Sequence, residues 1–160
     1  MTQEQKDLLL KDLCARLPYG VKAYVKNWSK LDCKYYEGVY TVKSTFPSLN
    51  EVHVQSKSGS VNVLLGQSDY VIKPYLFPLS SMTDEQCEEL NNLIHEHFIL
   101  DDGFNEGISF KTYGDILVWL DEKPINQCYF IFDYFNKNHL DYRELIPMSL
   151  ALDATGLNIY

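Results

Sequence analysis

The chain has 160 residues, 46 % of them hydrophobic and 14 % aromatic, with a formal net charge of −8. That length suits one domain that buries roughly two-thirds of its unfolded surface without a staple, and that composition excludes intrinsic disorder. The four cysteines, Cys14, Cys33, Cys87 and Cys128, show no C-x-x-C spacing, which excludes a zinc knuckle or dithiol redox motif and predicts buried reduced thiols. Charge is polarised: residues 1–79 carry 10 Lys/Arg against 7 Asp/Glu, and residues 80–160 carry 4 against 15. The acidic second half repels nucleic acid, while the weakly basic first half can meet an anion. The opening residues lack the basic start and apolar run of a signal peptide, and no 18 apolar residues stand together. The expectation is a soluble cytoplasmic protein with no membrane contact.

In chain order, Thr2 with Gln5 forms a capping box, and leucines at 9, 10, 13 and 17 give a helix from Thr2 to Leu17 one apolar face; Pro18 and Gly20 stop it. Val21 to Val25 alternates as a half-buried strand, with Val21, Ala23 and Val25 on one side. A second strand runs from Lys34 to Ser44, with a bulge or bend expected at Gly38. After a loop at Phe46 to Asn50, Glu51 to Ser56 and Ser60 to Leu65 pair through a Ser58-Gly59 turn. Gly66 to Asp69 turns the chain into a last strand from Tyr70, placed at an edge or broken at Pro74 because proline has no amide to give a ladder. Pro78 ends the sheet, and Thr83 with Gln86 caps a helix whose stripe of Cys87, Leu90, Ile94, His97 and Phe98 is expected to lie on the sheet. Ile99 to Gly107 reads as an acidic loop, Lys111 to Asp115 as the cap of a helix over Ile116, Leu117 and Leu120, and Pro124 to Lys137 as a further helix with Ile125, Cys128, Ile131, Phe132 and Phe135 inward. The tail from His139 to Tyr160 is expected to wrap back over the domain. The class is α+β: an N-terminal helix, a small curled antiparallel five-stranded sheet with an SH3-like barrel as its candidate form, then C-terminal helices packed against it.

No nucleotide-binding, nucleophile-elbow or zinc-protease motif occurs, so no catalytic residue and no cofactor is assigned. His95 and His97 stand two apart on a helix and point in different directions, which disfavours a shared metal; a solvent-facing His95 and a half-buried His97 are expected. Asp101 to Thr112 resembles a calcium loop but has Glu106 and Thr112 where glycine and a carboxylate belong. His139, Asp141, Arg143 and Glu144 read as a structural ion-pair cluster, since no nucleophile or phosphate loop accompanies them. In the sheet half, aromatic residues (Tyr24, Trp28, Tyr35, Tyr36, Tyr40, Tyr70, Tyr75, Phe77) interleave with Lys22, Lys26, Lys34 and Lys73. The candidate binding set is Lys22, Tyr24, Lys26, Trp28, Tyr35, Lys73 and Tyr75, a pattern that suits stacking on bases or gripping a peptide, with the remaining rings in the core.

Three stretches carry a resemblance: Leu9 to Lys22 (LLKDLCARLPYGVK), Lys73 to Thr83 (KPYLFPLSSMT) and His139 to Asp153 (HLDYRELIPMSLALD). They resemble a group of small uncharacterised proteins encoded by Bacteroides-type gut bacteria, their prophages and phages. In that group the third stretch usually reads Phe-Asp-Tyr-Arg-Gly-Leu-Ile, where this chain has Leu140 and Glu144 in place of the Phe and Gly. The resemblance implies a phage or mobile-element setting in the cytoplasm of a bacterial host, and no chemistry. Three functional expectations follow: a non-enzymatic interaction or regulatory module for a host or phage protein; a small nucleic-acid-binding barrel, disfavoured by net charge; and a counter-defence protein that binds or cleaves a nucleotide signal.

Overall fold

The computed structural model describes residues 1–29, 33–102, 113–121 and 128–160. Helix α1, Gln3–Arg16, opens with the expected box: the Thr2 amide donates to Gln5 Oε1 at 2.9 Å and the Gln5 amide to Thr2 Oγ1 at 3.2 Å. A single 3-10 turn, Leu17–Tyr19, and Gly20 at φ +67° end it, a left-handed conformation that glycine takes without steric cost. There follow strands β1 (Lys22–Ser29), β2 (Lys34–Phe46), β3 (Glu51–Ser56), β4 (Gly59–Leu64) and β5 (Tyr70–Leu76). Helices α2 (Asp84–Asp102), α3 (Tyr113–Asp121) and α4 (Tyr129–Lys137) come next, then a two-residue strand β6, Leu152–Asp153.

The sheet order is β4-β3-β2-β1-β5-β6. The expected five strands pair antiparallel, but β6 adds a parallel sixth at Tyr75 and Leu76. The sheet is therefore mixed and open, not a closed SH3-like barrel. Gly38 sits in regular register opposite Val25, and the irregularity falls instead between Val42 and Ser44, in the pairing of β2 with β3. Pro74 pairs with Ala23 inside the sheet. It is tolerated because its nitrogen faces away from β1, on the side where β6 has not yet begun.

Val21, Ala23, Val25, Val42, Val52, Val54, Val63 and Ile72 form the buried face of the sheet, closed by Leu9, Leu10 and Leu13 of α1. The later helices build a core of their own. The α2 stripe of Leu90 and Ile94 packs on Ile131, Tyr134 and Phe135 of α4, with Ile116 of α3 and Cys128, rather than lying over the sheet. Helix α2 begins at the expected box, Thr83 with Gln86, and runs to Asp102, so the first part of the expected acidic loop is helical. Residues 103–112, with the expected cap of α3, and residues 122–127, with the expected start of α4 at Pro124, lie outside the described residues. The thiol expectation holds only for Cys128, since Cys14 and Cys87 are half-buried and Cys33 is exposed.

What joins the two cores is a buried polar cluster. Arg16 and Asp12 are both fully buried. Arg16 donates from Nε to Asp12 Oδ2 at 2.8 Å and from Nη2 to Asp12 Oδ1 at 3.0 Å, and its remaining donors reach the carbonyls of Leu140 at 2.8 Å and Phe135 at 3.3 Å. Arg143 adds a second cation to Asp12 at 2.9 Å and lies over the Tyr142 ring. Asp141, expected in the same ion-pair cluster, instead accepts the amides of Leu145 and Ile146 at 2.9 and 2.7 Å, while Glu144 is exposed. Phe77, just beyond β5, exchanges backbone bonds with His139 and Asp141. The three stretches singled out in the sequence thus converge on one buried point.

Two stability predictions follow. Asp12→Asn strips the buried Arg16 guanidinium and the half-buried Arg143 one of their carboxylate, and urea unfolding should show a loss of about 3–5 kcal/mol. Glu144 holds φ +58°, a conformation that costs an L residue about 1–2 kcal/mol, at the position where the resembling group carries glycine. Glu144→Gly should raise stability by about 0.5–1 kcal/mol in the same assay, once glycine's own entropy is subtracted.

Candidate functional site: the open face of the sheet

The β1 side chains that do not face α1 are Lys22, Tyr24, Lys26 and Trp28, because alternate residues of a strand point to opposite sides. Register carries the same face outward across the neighbours: Trp28 stands opposite Tyr35, Lys26 opposite Glu37 and Val71, and Tyr24 opposite Val39 and Lys73. All seven candidate binding residues therefore share one face. Tyr36, Tyr40 and Tyr70 lie on the other, with Tyr40 and Tyr70 packed against the α1 core.

The face divides into a closed and an open part. At the closed end the Tyr160 hydroxyl donates to the Tyr75 carbonyl at 2.7 Å and accepts from the Lys22 amide at 3.2 Å, so a side chain completes the ladder where β1 and β5 part. The Lys22 ammonium bonds to the Ile159 carbonyl and lies over the Tyr160 ring, and Tyr75 is buried. Burial of its hydroxyl pushes Tyr160 up to about 12. The tail thus buries Tyr75 and engages Lys22, which stays half-buried. Tyr24, Lys26, Trp28, Tyr35 and Lys73 stay accessible, with Tyr35 48 % and Val39 43 % exposed, and no helix among the described residues packs broadly across them.

The open part is preorganised. Trp28 and Tyr35 meet edge to face with ring centroids 4.9 Å apart, and the Lys26 ammonium stands 4.7 Å from the Tyr35 centroid. Tyr24 donates to Glu37 at 2.8 Å, and that bond raises its pKa. Glu37 is thereby tied to a hydroxyl, leaving Lys26 and Lys73 as the face's cations beside an aromatic pair. Such a surface can stack on planar groups and hold a carboxylate or phosphate.

The remaining candidates resolve differently. The two histidines of α2 are reversed from expectation: His95 is half-buried, whereas His97 is exposed, with its ring stacked on Phe130 at 4.0 Å. Among the described residues no three His, Cys, Asp or Glu side chains converge as metal ligands, and no helix is long and apolar enough to cross a membrane. His139 is buried, stacks on Tyr160 at 3.9 Å, and has no hydrogen-bond partner at Nδ1. Burial first, and the Arg16 charge second, pull its imidazole down to about 4.

No protein-family model, curated protein or solved structure matches the chain.

The acid limb of stability should report His139. Its proton is bound in the unfolded chain below pH 6.5 but in the folded protein only below about 4, so its neutral-state contribution is complete above pH 6.5 and is lost as pH falls through that window. The loss is at most roughly 3 kcal/mol at ~1.4 kcal/mol per pKa unit. Asp141, raised by burial, acts in the opposite sense and favours the fold as pH drops. His139→Asn, which keeps a residue tolerant of the φ +55° found there, should flatten the slope of urea-unfolding free energy between pH 6.5 and 4.

Proposed function

We propose that this protein is a non-enzymatic interaction module of phage or prophage origin, acting in the cytoplasm of a Bacteroides-type host and seating a host or phage protein on the open part of its sheet. The observation that carries this reading is the fixed, solvent-facing group of Tyr24, Lys26, Trp28, Tyr35 and Lys73, with Trp28, Tyr35 and Lys26 already in mutual contact. Rigid aromatic rings beside cations are what protein-binding hot spots are made of, because such rings lose little entropy on docking. The weakly basic face on an acidic molecule favours an acidic partner and orients its approach.

A lysate of a Bacteroides-type host carrying its phages provides the test. Proteins retained by the wild-type chain at physiological ionic strength are compared by mass spectrometry with those retained by a Lys26→Glu/Tyr35→Ala variant, and direct binding is then measured with the purified candidate. The expected result is a partner that binds the wild type and loses about 2 kcal/mol or more, some thirtyfold in Kd, with the variant. A set of retained proteins that does not change between the two would sink the reading.

The same aromatic pair beside Lys26 favours a second reading, single-stranded nucleic acid, in which each stacked base contributes about 1–3 kcal/mol. Titration with oligothymidylate, followed by tryptophan fluorescence, should then show binding that falls steeply with salt; an unchanged signal at low salt removes this alternative.

A further inference from the structure

The outer edge of β5 offers a second, independent surface. The Trp28 amide donates to the Asp69 carbonyl at 3.1 Å, so alternation along the ladder turns Val71 and Lys73 toward β1 and leaves Pro74, which has no amide hydrogen, in a non-hydrogen-bonded pair with Ala23. The C=O of Tyr70, both N–H and C=O of Ile72, and the C=O of Pro74 then point away from β1. β6 occupies that side at Tyr75 and Leu76, a parallel pairing in which the Leu152 amide meets the Pro74 carbonyl, and among the described residues no strand pairs with Tyr70 to Lys73 there. In place of a strand there is a groove of about 360 Å³, walled by Tyr70 to Lys73 and lined by Leu65, Leu150 and Ser149.

From this geometry we infer that the β5 edge is a strand-addition site for an extended acidic peptide segment of a partner. β6 shows that the lane beside β5 accepts a strand at ladder distance, and the groove continues that lane toward Tyr70. Four residues, Tyr70 to Lys73, span about 10 Å at roughly 3.3 Å per residue, so a short segment fits. Its alternate side chains face two environments: apolar ones go inward between Leu65 and Leu150, and outward ones stand beside Lys73. A second cation, Lys6, lies across Gly66 so closely that a side chain there would collide with its stem. No Asp or Glu lines the groove, which gives the preference for carboxylates. Lysine and proline also serve to guard exposed edges. Here Pro74 removes a single donor and the Lys73 side chain belongs to the sheet face, so Ile72 still presents a donor and an acceptor to the lane.

The probe is the blocked pentapeptide Ac-Val-Glu-Val-Glu-Val-NH2, titrated into the full isotopically labelled chain and followed by backbone amide NMR. Saturable shifts centred on Tyr70 to Lys73 and Leu65 are expected. Replacing both glutamates by lysine should weaken binding at least about fivefold, and Lys73→Glu should reverse that preference. A peptide N-methylated at the amides that face β5 should lose binding, since main-chain bonds supply the affinity. Absence of saturable shifts, equal binding of the N-methylated peptide, or shifts centred on Tyr24 to Trp28 instead would each overturn strand addition. Equal affinity for the lysine peptide would overturn the acidic preference. Lys73 borders both surfaces, so shifts at Tyr70, Ile72 and Leu65 report the β5 edge and shifts at Tyr24 to Trp28 report the aromatic face.

Discussion

A guanidinium with no exposure to water holds this molecule together. Taking Arg16 out of solvent costs several kcal/mol unless its donors are met, and they are met by a bidentate carboxylate on its own helix and by two carbonyls from a segment more than a hundred residues away. The Phe135 carbonyl belongs to the last turn of α4, where carbonyls lack helical partners and the dipole is negative. Arg16 therefore joins the Leu140 amide on the Phe135 carbonyl at the end of α4, and that is how a helix which seals the sheet also fixes the position of the helical core.

The segment after α4 bends to serve this arrangement. His139, Glu144 and Ser149 all adopt positive φ, an accumulation of strained non-glycine residues that persists only where the surroundings over-determine it. Between them, the Asp141 carboxylate ties two successive amides, and Leu140 and Leu145 are fully buried. The stretch reads as a rigid corner with Asp141 turned inward and Glu144 outward, and this rigidity places β6 beside β5 and Tyr160 beneath Lys22.

Much of the fold was legible in the chain, because capping boxes at Thr2 and Thr83, alternation in β1 and β3, and the break at Pro78 are local signals. The shared side of the seven aromatic and lysine positions follows from the same alternation. The Arg16 cluster has a fainter signal: Asp12 and Arg16 fall at i+3 and i+7 from Leu9, inside the leucine stripe, where a charged pair four apart announces burial rather than solvent. The α2 stripe is apolar as its spacing predicts but meets α4 and not the sheet, since periodicity tells which side of a helix is buried and not against what. β6 is two residues long and leaves no pattern at all; only tertiary pairing defines it. The tail's closure over Lys22 and Tyr75 is likewise a long-range event without a local mark.

The reach of the Arg16 contacts also bears on how the chain acquires its shape during synthesis. The partners of Asp12 and Arg16 lie 119 to 131 residues downstream, so at roughly 5–20 residues per second the ribosome takes on the order of ten seconds to deliver them after α1 emerges. Throughout that interval the nascent meander can pair its strands, but the charged side of α1 has only water and Asp12 to satisfy it. Closing so large a loop is a late and entropically costly event. The N-terminal half must then wait, incompletely docked, until the last thirty or so residues arrive, and a truncated transcript would leave it stranded there.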